Sequence, residues 1–380
     1  MQSPPSSPAI LWLCGPPGVG KTTAAWALYR RLVDAGTDCA FVDLDQLGIC
    51  YPAPPSDPER HRLKARNLAA LALNFAALAL NFADRGASGV IVSGVVDARR
   101  GVEIDGALAD GLITCRLTAD PDRLLTRLAG RQGSFAVAAA ALQEAEALDR
   151  TSFADFSVDT SGRSVDQVVA RILASVGSWP PAGRSAAGPP RRRVSSAAAG
   201  ELLWLWGPPG VGKSTIGFRL YLDLLERGVA AGYVDAAQVG FCSTAEDDHR
   251  PRADNLADVW HGFHEHGARA LVVAGPIRDP SEVATYQRAL PAANFTWVRL
   301  TAGEEALRAR VMSRQDGGSW PEPGDRLKGR SASALLEESA LAAAQASSLA
   351  RVQFGQSLDT TGLSVQAAAR QVLALWGRMG

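Results

Sequence analysis

The feature that most constrains this chain's fold is a long internal repeat containing a glycine-rich loop. The stretch LWLCGPPGVGKTTAAWALYRRLVDAG at residues 11–36 returns as LWLWGPPGVGKSTIGFRLYLDLLERG at residues 203–228, displaced by 192 positions. Further matches follow in the same order, from FVDLDQLGIC with YVDAAQVGFC to VDTSGRSV with LDTTGLSV. Each copy spans about 170 to 180 residues, a normal domain size. The sequence therefore predicts two copies of one domain in tandem.

The domain boundaries follow from composition. We expect a disordered lead at 1–8, a first domain at 9–177, a linker at 178–200 and a second domain at 201–380. The linker sequence, SWPPAGRSAAGPPRRRVSSAAAG, is rich in Pro, Gly, Ser and Ala and has no apolar periodicity. Its three consecutive arginines fit a solvated charge run better than a docking site for an acidic partner.

Within each copy, short apolar runs alternate with amphipathic stretches. In the first copy AILWLCG, CAFVDLD, GVIVSGVVD, LITCRLTA and FADFSVDT have the character of five buried strands. This alternation predicts an α/β fold with a mostly parallel five-stranded sheet and helices on both faces. Ligands on such sheets bind at the carboxyl ends of the strands, where the DxD, SG and DTSG sequences fall.

Both copies contain the pattern G-x-x-x-x-G-K-[S/T] between an apolar strand and an amphipathic helix. Glycines allow backbone N–H groups to turn toward a phosphate, and the helix that follows directs its positive end at the same anion. Lys21 and Lys213 are expected to reach the β- and γ-phosphates, and the hydroxyls of Thr22 and Ser214 to ligate Mg²⁺. The predicted cradles comprise Gly15, Pro16, Pro17, Gly18, Val19, Gly20, Lys21, Thr22 and Thr23, and Gly207, Pro208, Pro209, Gly210, Val211, Gly212, Lys213, Ser214 and Thr215.

The second strand of the first copy ends in VDLDQ. This sequence is expected to place Asp43 and Asp45 on one side of the strand at its ligand end. A carboxylate there can orient an acceptor hydroxyl, accept its proton or hold a Mg²⁺-bound water. The competing interpretation is a cap for the next helix.

One pair of arginines follows the fourth strand of each copy. Arg127 and Arg131 lie four residues apart, as do Arg310 and Arg314. On a helix this spacing puts both members on one face, suited to a transferred phosphate, although a solvated face has the same pattern. The later DTSG and DTTG sequences predict turns beside the base, with Asp159 and Asp359 as caps or base contacts.

Taken together, the Walker A loop, the DxD-like strand end, the Arg-x-x-x-Arg helix and the late DT[ST]G turn resemble the small P-loop kinases. Adenylylsulfate kinase, gluconate kinase, the chloramphenicol-phosphotransferase type and zeta-toxin-like kinases share this arrangement. The resemblance implies two tandem P-loop nucleotide-kinase-like domains, with ATP and Mg²⁺ as cosubstrates. It also implies transfer of the γ-phosphate to a hydroxyl or phosphate of a small molecule. It places Asp45 beside the acceptor, and the arginine pairs at the lid.

The two copies differ where the resemblance matters most. Asp45 corresponds to Ala237, because VDLDQ becomes VDAAQ. The second copy instead carries RQDGGSWPEPGDRLKGRSA, where the first has only RQGSFA. Its Arg326, Lys328 and Arg330 predict a mobile basic lid that closes on phosphates. We therefore expect the first copy to transfer phosphate with Lys21, Thr22 and Asp45, and the second to bind ATP in a regulatory role.

Charge and composition restrict the partners. Lys and Arg number 39, as do Asp and Glu, so no global basic field indicates a nucleic acid or membrane partner. The longest apolar stretch, at 68–83, is too short for a membrane span and is interrupted by Asn74 and Asn81. The five cysteines form no C-x-x-C pair and fit reduced thiols. A cytoplasmic protein with a small-molecule acceptor is expected, and its oligomeric state stays open.

An alternative from another class is a nucleotide-dependent switch or accessory ATPase that binds a partner and transfers nothing. The alanine in copy two and the short lid of copy one favour it, whereas the DxD end and the arginine pairs favour a kinase. An AAA-type motor is disfavoured, because no acidic Walker B pair follows VIVSG or LVVAG.

Overall fold

The computed structural model describes residues 8–81, 87–99, 101, 109, 111–129, 135–181, 198–245, 248–316, 327 and 330–377. The chain divides into two compact units. Unit 1 consists of residues 1–48, 57–193 and 240–251, and unit 2 of residues 49–56, 194–239 and 252–380. Across the described ranges, none of the helices combines the length and apolar character needed to cross a membrane.

The strands of the described ranges are β1 (Ala9–Cys14), β2 (Cys39–Asp43), β3 (Cys50–Tyr51), β4 (Gly89–Ser93), β5 (Leu112–Thr118), β6 (Phe156–Asp159), β7 (Gly200–Trp206), β8 (Ala231–Asp235), β9 (Ala270–Ala274), β10 (Ala293–Thr301) and β11 (Gln356–Asp359). The α-helices are α1 (Lys21–Asp34), α2 (His61–Asn81), α3 (Pro121–Ala129), α4 (Phe135–Asp149), α5 (Val165–Val176), α6 (Lys213–Glu226), α7 (His249–Glu265), α8 (Pro280–Ala289), α9 (Glu304–Met312), α10 (Ala332–Leu349) and α11 (Val365–Trp376). Two 3₁₀ helices cover Leu44–Gly48 and Ser313–Asp316.

Unit 1 is built on a sheet with the strand order β2-β4-β1-β5-β6, in which every pairing is parallel. The predicted five-stranded parallel sheet is therefore confirmed. Strands β1, β2 and β4 are buried along their whole length, as expected when helices cover both faces of a sheet. Because β1 lies between β4 and β5, the loop that follows it emerges at the centre of the carboxyl edge, where ligands bind on such sheets.

Unit 2 repeats this arrangement and adds one strand. Its sheet has the order β11-β10-β7-β9-β8-β3. The pairings from β11 to β8 are parallel, whereas β3 joins the edge of β8 in the antiparallel direction. The two residues of β3 belong to the first sequence copy, and residues 240–251 of the second copy belong to unit 1. The contiguous domains expected from the sequence thus differ from the observed units at these two segments.

The linker expected at 178–200 is ordered at both of its ends. Trp179 is buried in the core of unit 1, where a Cβ on Gly89 would lie only 2.8 Å from its ring. At the other end, β7 already begins at Gly200. Composition alone did not predict these ends, because a single buried tryptophan in a Pro-rich stretch leaves no periodic pattern.

Candidate active site

The glycine-rich loop of unit 1 connects β1 to α1 with a backbone that other residues would not adopt easily. Gly15, Gly18 and Gly20 have φ values of 140°, 81° and 97°. A Cβ on Gly15 would lie 2.4 Å from the carbonyl oxygen of Leu117, so this position requires glycine. Gly20 begins the helix without a side-chain cap, which leaves the first N–H groups of the helix available to an anion.

Lys21 folds its side chain back over this loop. Its Nζ atom donates hydrogen bonds to the carbonyl oxygens of Gly15 (2.8 Å) and Pro16 (3.0 Å). The residue is only 8% exposed, and burial lowers its pKa, although the negative charge of Asp45 opposes this shift. The ammonium group is thus held at the loop by weak neutral acceptors, which a phosphate can replace.

Thr22 connects the loop to the ends of two neighbouring strands. Its hydroxyl donates to Oδ2 of Asp43 (3.1 Å) and lies 3.0 Å from the hydroxyl of Ser93. Burial, together with the charge of Asp45, raises the pKa of Asp43 to about 7. Parallel strands therefore bring together a hydroxyl and a carboxyl group of the types that hold Mg²⁺ in phosphate-binding sites.

Asp45 lies beyond the strand, and this corrects one sequence expectation. Strand β2 ends at Asp43, and Asp45 sits in the 3₁₀ helix that follows, so the two carboxylates are not on one side of a strand. Asp43 caps this turn by accepting the backbone N–H of Asp45 at 3.0 Å, as the competing interpretation held. The carboxylate of Asp45 is about half exposed and forms a salt bridge of 3.0 Å with Lys64 on α2.

A further carboxylate, Glu144 on α4, was not predicted from the sequence. It is partly buried, within electrostatic range of Lys21, Asp45 and Lys64, and burial raises its pKa. No local motif surrounds Glu144, so only the three-dimensional arrangement of α4 could reveal it. Unit 1 thus has two carboxylates, Asp45 and Glu144, near the lysine of its cradle in addition to the strand-end Asp43.

The cradle of unit 2 has the same lysine and aspartate contacts, but Ala274 stands at the register position of Ser93. Lys213 donates from Nζ to the carbonyl oxygens of Gly207 and Pro208, both at 2.9 Å. Burial lowers the pKa of Lys213 to about 8. The hydroxyl of Ser214 donates to Asp235 at 2.6 Å, and burial raises the pKa of this carboxyl group. The glycine requirement also recurs, since a Cβ on Gly207 would lie 2.3 Å from the carbonyl oxygen of Leu300.

Beyond the cradle, unit 2 has other residues at the two positions that correspond to Asp45 and Glu144. Ala237 stands where unit 1 has Asp45. Asp235 caps the same turn by accepting the backbone N–H of Ala237 at 2.9 Å. Arg252 corresponds to Lys64, and its charge acts on buried Asp235. Leu148 and Leu349 accept equivalent hydrogen bonds from Arg116 and Arg299.

Alignment on these two leucines places Gln345 opposite Glu144, four residues before the leucine in each copy. The sequence comparison found the change at Ala237. The change at Gln345 could be identified only from the structure, because the hydrogen bonds to the two leucines show how helices α4 and α10 align with each other.

Arg127 and Arg310 each form hydrogen bonds to the glycine-rich loop of their own unit. Arg127 donates to the carbonyl oxygen of Val19 (3.1 Å) and to both the hydroxyl and the carbonyl oxygen of Thr160 (3.0 Å each). Arg310 makes the same three contacts in unit 2, at 2.8–3.0 Å. A planar fork with several donors suits such a set of acceptors. Each guanidinium therefore joins the glycine-rich loop to the late DT[ST]G turn.

The remaining predicted residues are more scattered. Arg131, Arg326 and Lys328 lie outside the described residues. Arg314 follows α9 in a separate 3₁₀ helix, so Arg310 and Arg314 do not share one α-helical face as expected. Arg330 is exposed and forms a salt bridge of 3.1 Å with Glu338 on α10.

The late aspartates shape turns. Asp159 accepts the N–H of Ser161 at 2.9 Å, and Asp359 accepts that of Thr361 at the same distance. These bonds lower the pKa of both carboxyl groups, against burial. Both geometries match the capping alternative, and contact of these residues with the nucleotide base stays a prediction.

The last predicted residues of the cradles lie in the first turn of the helices that follow. Thr23 is exposed and Thr215 is half-buried.

The residues at each cradle fit a nucleoside triphosphate with a divalent cation. The fit rests on left-handed glycines, an uncapped helix start, a lysine on the loop and a hydroxyl bonded to a buried aspartate. Among the described residues, no group of three or more His, Cys, Asp or Glu side chains is arranged to hold a metal ion. A Mg²⁺ ion would then depend mainly on phosphate and water oxygens, as it often does beside substrate phosphates.

The fold and the two cradles define a protein with two P-loop nucleotide-binding units. A family model described as an AAA domain matches residues 11–145, which lie in the first copy. A comparison with curated proteins gave no match.

Solved structures that the chain resembles include the tunicamycin resistance protein of Deinococcus radiodurans, with 27% identity and a TM-score of 0.33, covering 45% of this chain and 96% of that one. The APS kinase of Mycobacterium tuberculosis, in complex with AMPPNP and APS, has 17% identity and a TM-score of 0.31, covering 47% and 98%. The shikimate kinase of Bacteroides thetaiotaomicron has 17% identity and a TM-score of 0.29, covering 44% and 98%. Small-molecule P-loop kinases, the group that the sequence resembles, are thus among the proteins found.

Proposed function

We propose that this chain is an ATP- and Mg²⁺-dependent phosphotransferase in which unit 1 transfers the γ-phosphoryl group to a small molecule. Unit 2 binds the nucleotide without transferring phosphate. The observation that carries this proposal is the difference between two otherwise equivalent cradles. Among the described residues, unit 1 has Asp45 and Glu144 near its cradle lysine in addition to the strand-end Asp43. Unit 2 keeps the strand-end aspartate, Asp235, near Lys213 but has Ala237 and Gln345 at the other two positions.

Each residue of unit 1 has a role that its contacts support. Bound ATP supplies the phosphoryl group, and the cation offsets its charge. Lys21 exchanges its carbonyl partners for phosphate oxygens, and Thr22 with Asp43 positions the cation. The half-exposed carboxylate of Asp45 accepts a hydrogen bond from the acceptor hydroxyl and takes up its proton. The salt bridge to Lys64 fixes the direction of the Asp45 carboxylate.

The charges also restrict the acceptor. Asp45 and Glu144 provide two carboxylates, and Glu59 is a third acidic group within electrostatic range of Glu144. Apart from the cradle lysine, Lys64 is the positive charge that acts on Glu144, and it is paired with Asp45. Like charges repel, and more strongly in a partly buried site. We therefore expect an uncharged or amine-bearing alcohol as acceptor, and not a phosphate or a polycarboxylate.

The decisive experiment compares Lys21→Ala with Lys213→Ala in the full-length protein. ADP formation is measured with a panel of neutral, amine-bearing and anionic alcohols, and products are identified by mass spectrometry. We expect Lys21→Ala to reduce acceptor-dependent turnover at least 100-fold, and Lys213→Ala to retain a substantial part of it. If only Lys213→Ala abolishes turnover, the roles of the two units are reversed. ADP release that needs no acceptor and yields no phosphorylated product would instead support the accessory ATPase.

A further inference from the structure

Each nucleotide-binding unit contains an edge segment that comes from the other sequence copy. In unit 1 the backbone N–H of Phe41 donates to the carbonyl oxygen of Phe241 (2.9 Å), and that of Ser243 to Cys39 (3.0 Å). The hydroxyl of Ser243 also accepts the N–H of Cys39 at 3.1 Å. Ala40 and Cys242 face each other between these bonds as an antiparallel bridge.

Unit 2 contains the same contacts with the copies interchanged. The N–H of Tyr233 donates to the carbonyl oxygen of Ile49 at 2.9 Å, and Cys50 faces Gly232 in the antiparallel direction. Tyr233 and Ile49 are the counterparts of Phe41 and Phe241 under the displacement of 192 positions. The exchange is therefore reciprocal, and equivalent residues pair with each other in both units.

Side chains reinforce the pairing in both units. Phe241 packs in the hydrophobic core of unit 1, with its ring 4.8 Å from that of Trp26 and 5.9 Å from that of Phe41. Ile49 packs against the corresponding core of unit 2. These contacts bury apolar surface in addition to forming backbone hydrogen bonds, which distinguishes them from a loop resting on a sheet edge.

The exchanged segments lie next to the acceptor-side residues in the sequence. Residues 49–56 begin directly after the 3₁₀ helix of Asp45 and end just before Asp57. Asp57 is buried and accepts the N–H groups of Arg62 and Leu63 at the start of α2, the helix that carries Lys64. Both partners of the Asp45–Lys64 salt bridge are thus attached to a segment that completes unit 2.

From these observations we infer that the two copies complete each other within one molecule by reciprocal exchange of residues 49–56 and 240–251. The same edge pairing within a single copy would require a hairpin closed by residues 42–48. The exchanged arrangement replaces this hairpin with a connection between the copies, as in a domain-swapped dimer whose two chains are fused. Neither copy then forms a complete unit without a segment of the other.

The experiment uses Ala40→Cys in a Cys39→Ser full-length background, oxidised with copper phenanthroline and mapped by mass spectrometry without reduction. Ala40 and Cys242 form a non-hydrogen-bonded antiparallel pair, whose Cα atoms lie about 4.5 Å apart, within the roughly 4.4–6.8 Å range of disulfides. We expect the introduced thiol to bond to Cys242 within a monomer. A disulfide to Cys50, the counterpart of Cys242, would show that each copy keeps its own segment.

Two further outcomes also contradict the inference: a covalent dimer through Cys242 of another molecule, and an introduced thiol that stays reduced. Ala40→Ser in the same background is the control for adventitious oxidation. Should the cysteine variant not fold, amide hydrogen exchange replaces it. Substituting glycine for Phe241, Cys242 and Ser243 together is expected to reduce protection of the Phe41 amide at least tenfold, and unchanged protection would reject the exchange.

Discussion

At the level of single residues, Asp45 is the side chain on which the assignment of the transferring unit depends. Asp45→Asn keeps the size of the side chain and its turn, but removes the charge and the capacity to accept a proton. We expect kcat to fall about 10²- to 10⁴-fold. ATP affinity should change much less, because Asp45 acts on Lys21 and Asp43 only through its charge and makes none of the hydrogen bonds of Lys21 and Thr22 in the cradle. Steady-state kinetics and a fluorescent ATP-analogue titration measure both quantities.

The matched control for this variant is Asp34→Asn, which removes an exposed carboxylate paired with Arg30 on the same unit. It should leave kcat and affinity unchanged, because exposed ion pairs of this kind contribute little. An Asp45→Asn protein with normal kcat and weakened nucleotide binding would assign Asp45 to the cation, and not to the acceptor.

Lys213 gives the second unit a characteristic pH dependence. Burial holds the pKa of its ammonium group at about 8 in the nucleotide-free protein, and phosphate binding favours the charged form. Above this pH, binding must take up a proton, so ATP affinity should weaken by up to about tenfold per pH unit. Titrations at pH 7, 8 and 9 on Lys21→Ala, in which only unit 2 retains its lysine, test this expectation. Lys213→Arg should flatten the profile, and a slope unchanged by that variant would contradict it.

The residues that the sequence predicted and those that it missed differ in a physical way. The cradle residues follow one another along the chain, so their spacing alone predicted them. Glu144 reaches the site from a helix that is distant in sequence, and it belongs to no motif. Ala237 became informative only because the second copy served as an internal comparison.

At the level of elements, the glycine-rich loop depends on the space left by the neighbouring strand. In Gly15→Ala the new Cβ would lie 2.4 Å from a backbone oxygen of β5, so the loop must move away from its position. We expect ATP affinity of unit 1 to fall at least tenfold, and the free energy of unfolding to decrease by about 1–3 kcal/mol. Both are measured in a Lys213→Ala background, by nucleotide titration and by urea unfolding.

Gly36→Ala provides the matched comparison for this variant. Gly36 also has a positive φ, 82°, but no atom of the described residues other than those of its chain neighbours and its own helix backbone lies within 4 Å of its Cβ position. This substitution should cost about 1 kcal/mol of stability for the left-handed backbone and leave affinity unchanged. Equal losses of affinity in the two variants would argue against a steric role for Leu117.

The elements themselves were largely predictable. Apolar runs bounded by glycine specified the parallel strands, because strands buried on both faces need continuous hydrophobic sequence. The edge pairings were not predictable, since Ile49 and Phe241 occupy equivalent positions and local sequence favours pairing within a copy as much as between copies. The 3₁₀ helix at Leu44–Gly48 was missed for a related reason, because its apolar residues continue the pattern of β2.

At the level of the whole molecule, reciprocal completion predicts that a substitution in one copy impairs the nucleotide site of the other. Phe241→Ala removes a ring that contacts Trp26 on α1, the helix that begins at Lys21. Loss of this partly buried ring should destabilise unit 1 by about 2 kcal/mol, below the usual cost for a fully buried phenylalanine. ATP affinity should therefore fall at unit 1, measured in a Lys213→Ala background, and stay unchanged at unit 2, measured with Lys21→Ala.

Phe218→Ala is the matched control, because Phe218 also belongs to the second copy but packs in the core of unit 2, against Tyr221 and Tyr233. It should weaken the nucleotide site of unit 2 and spare that of unit 1. Opposite effects of two phenylalanine substitutions in one copy cannot arise if each copy folds as a separate domain. If both variants weaken only unit 2, Phe241 belongs to its own copy, and the two cradles are independent sites on one chain.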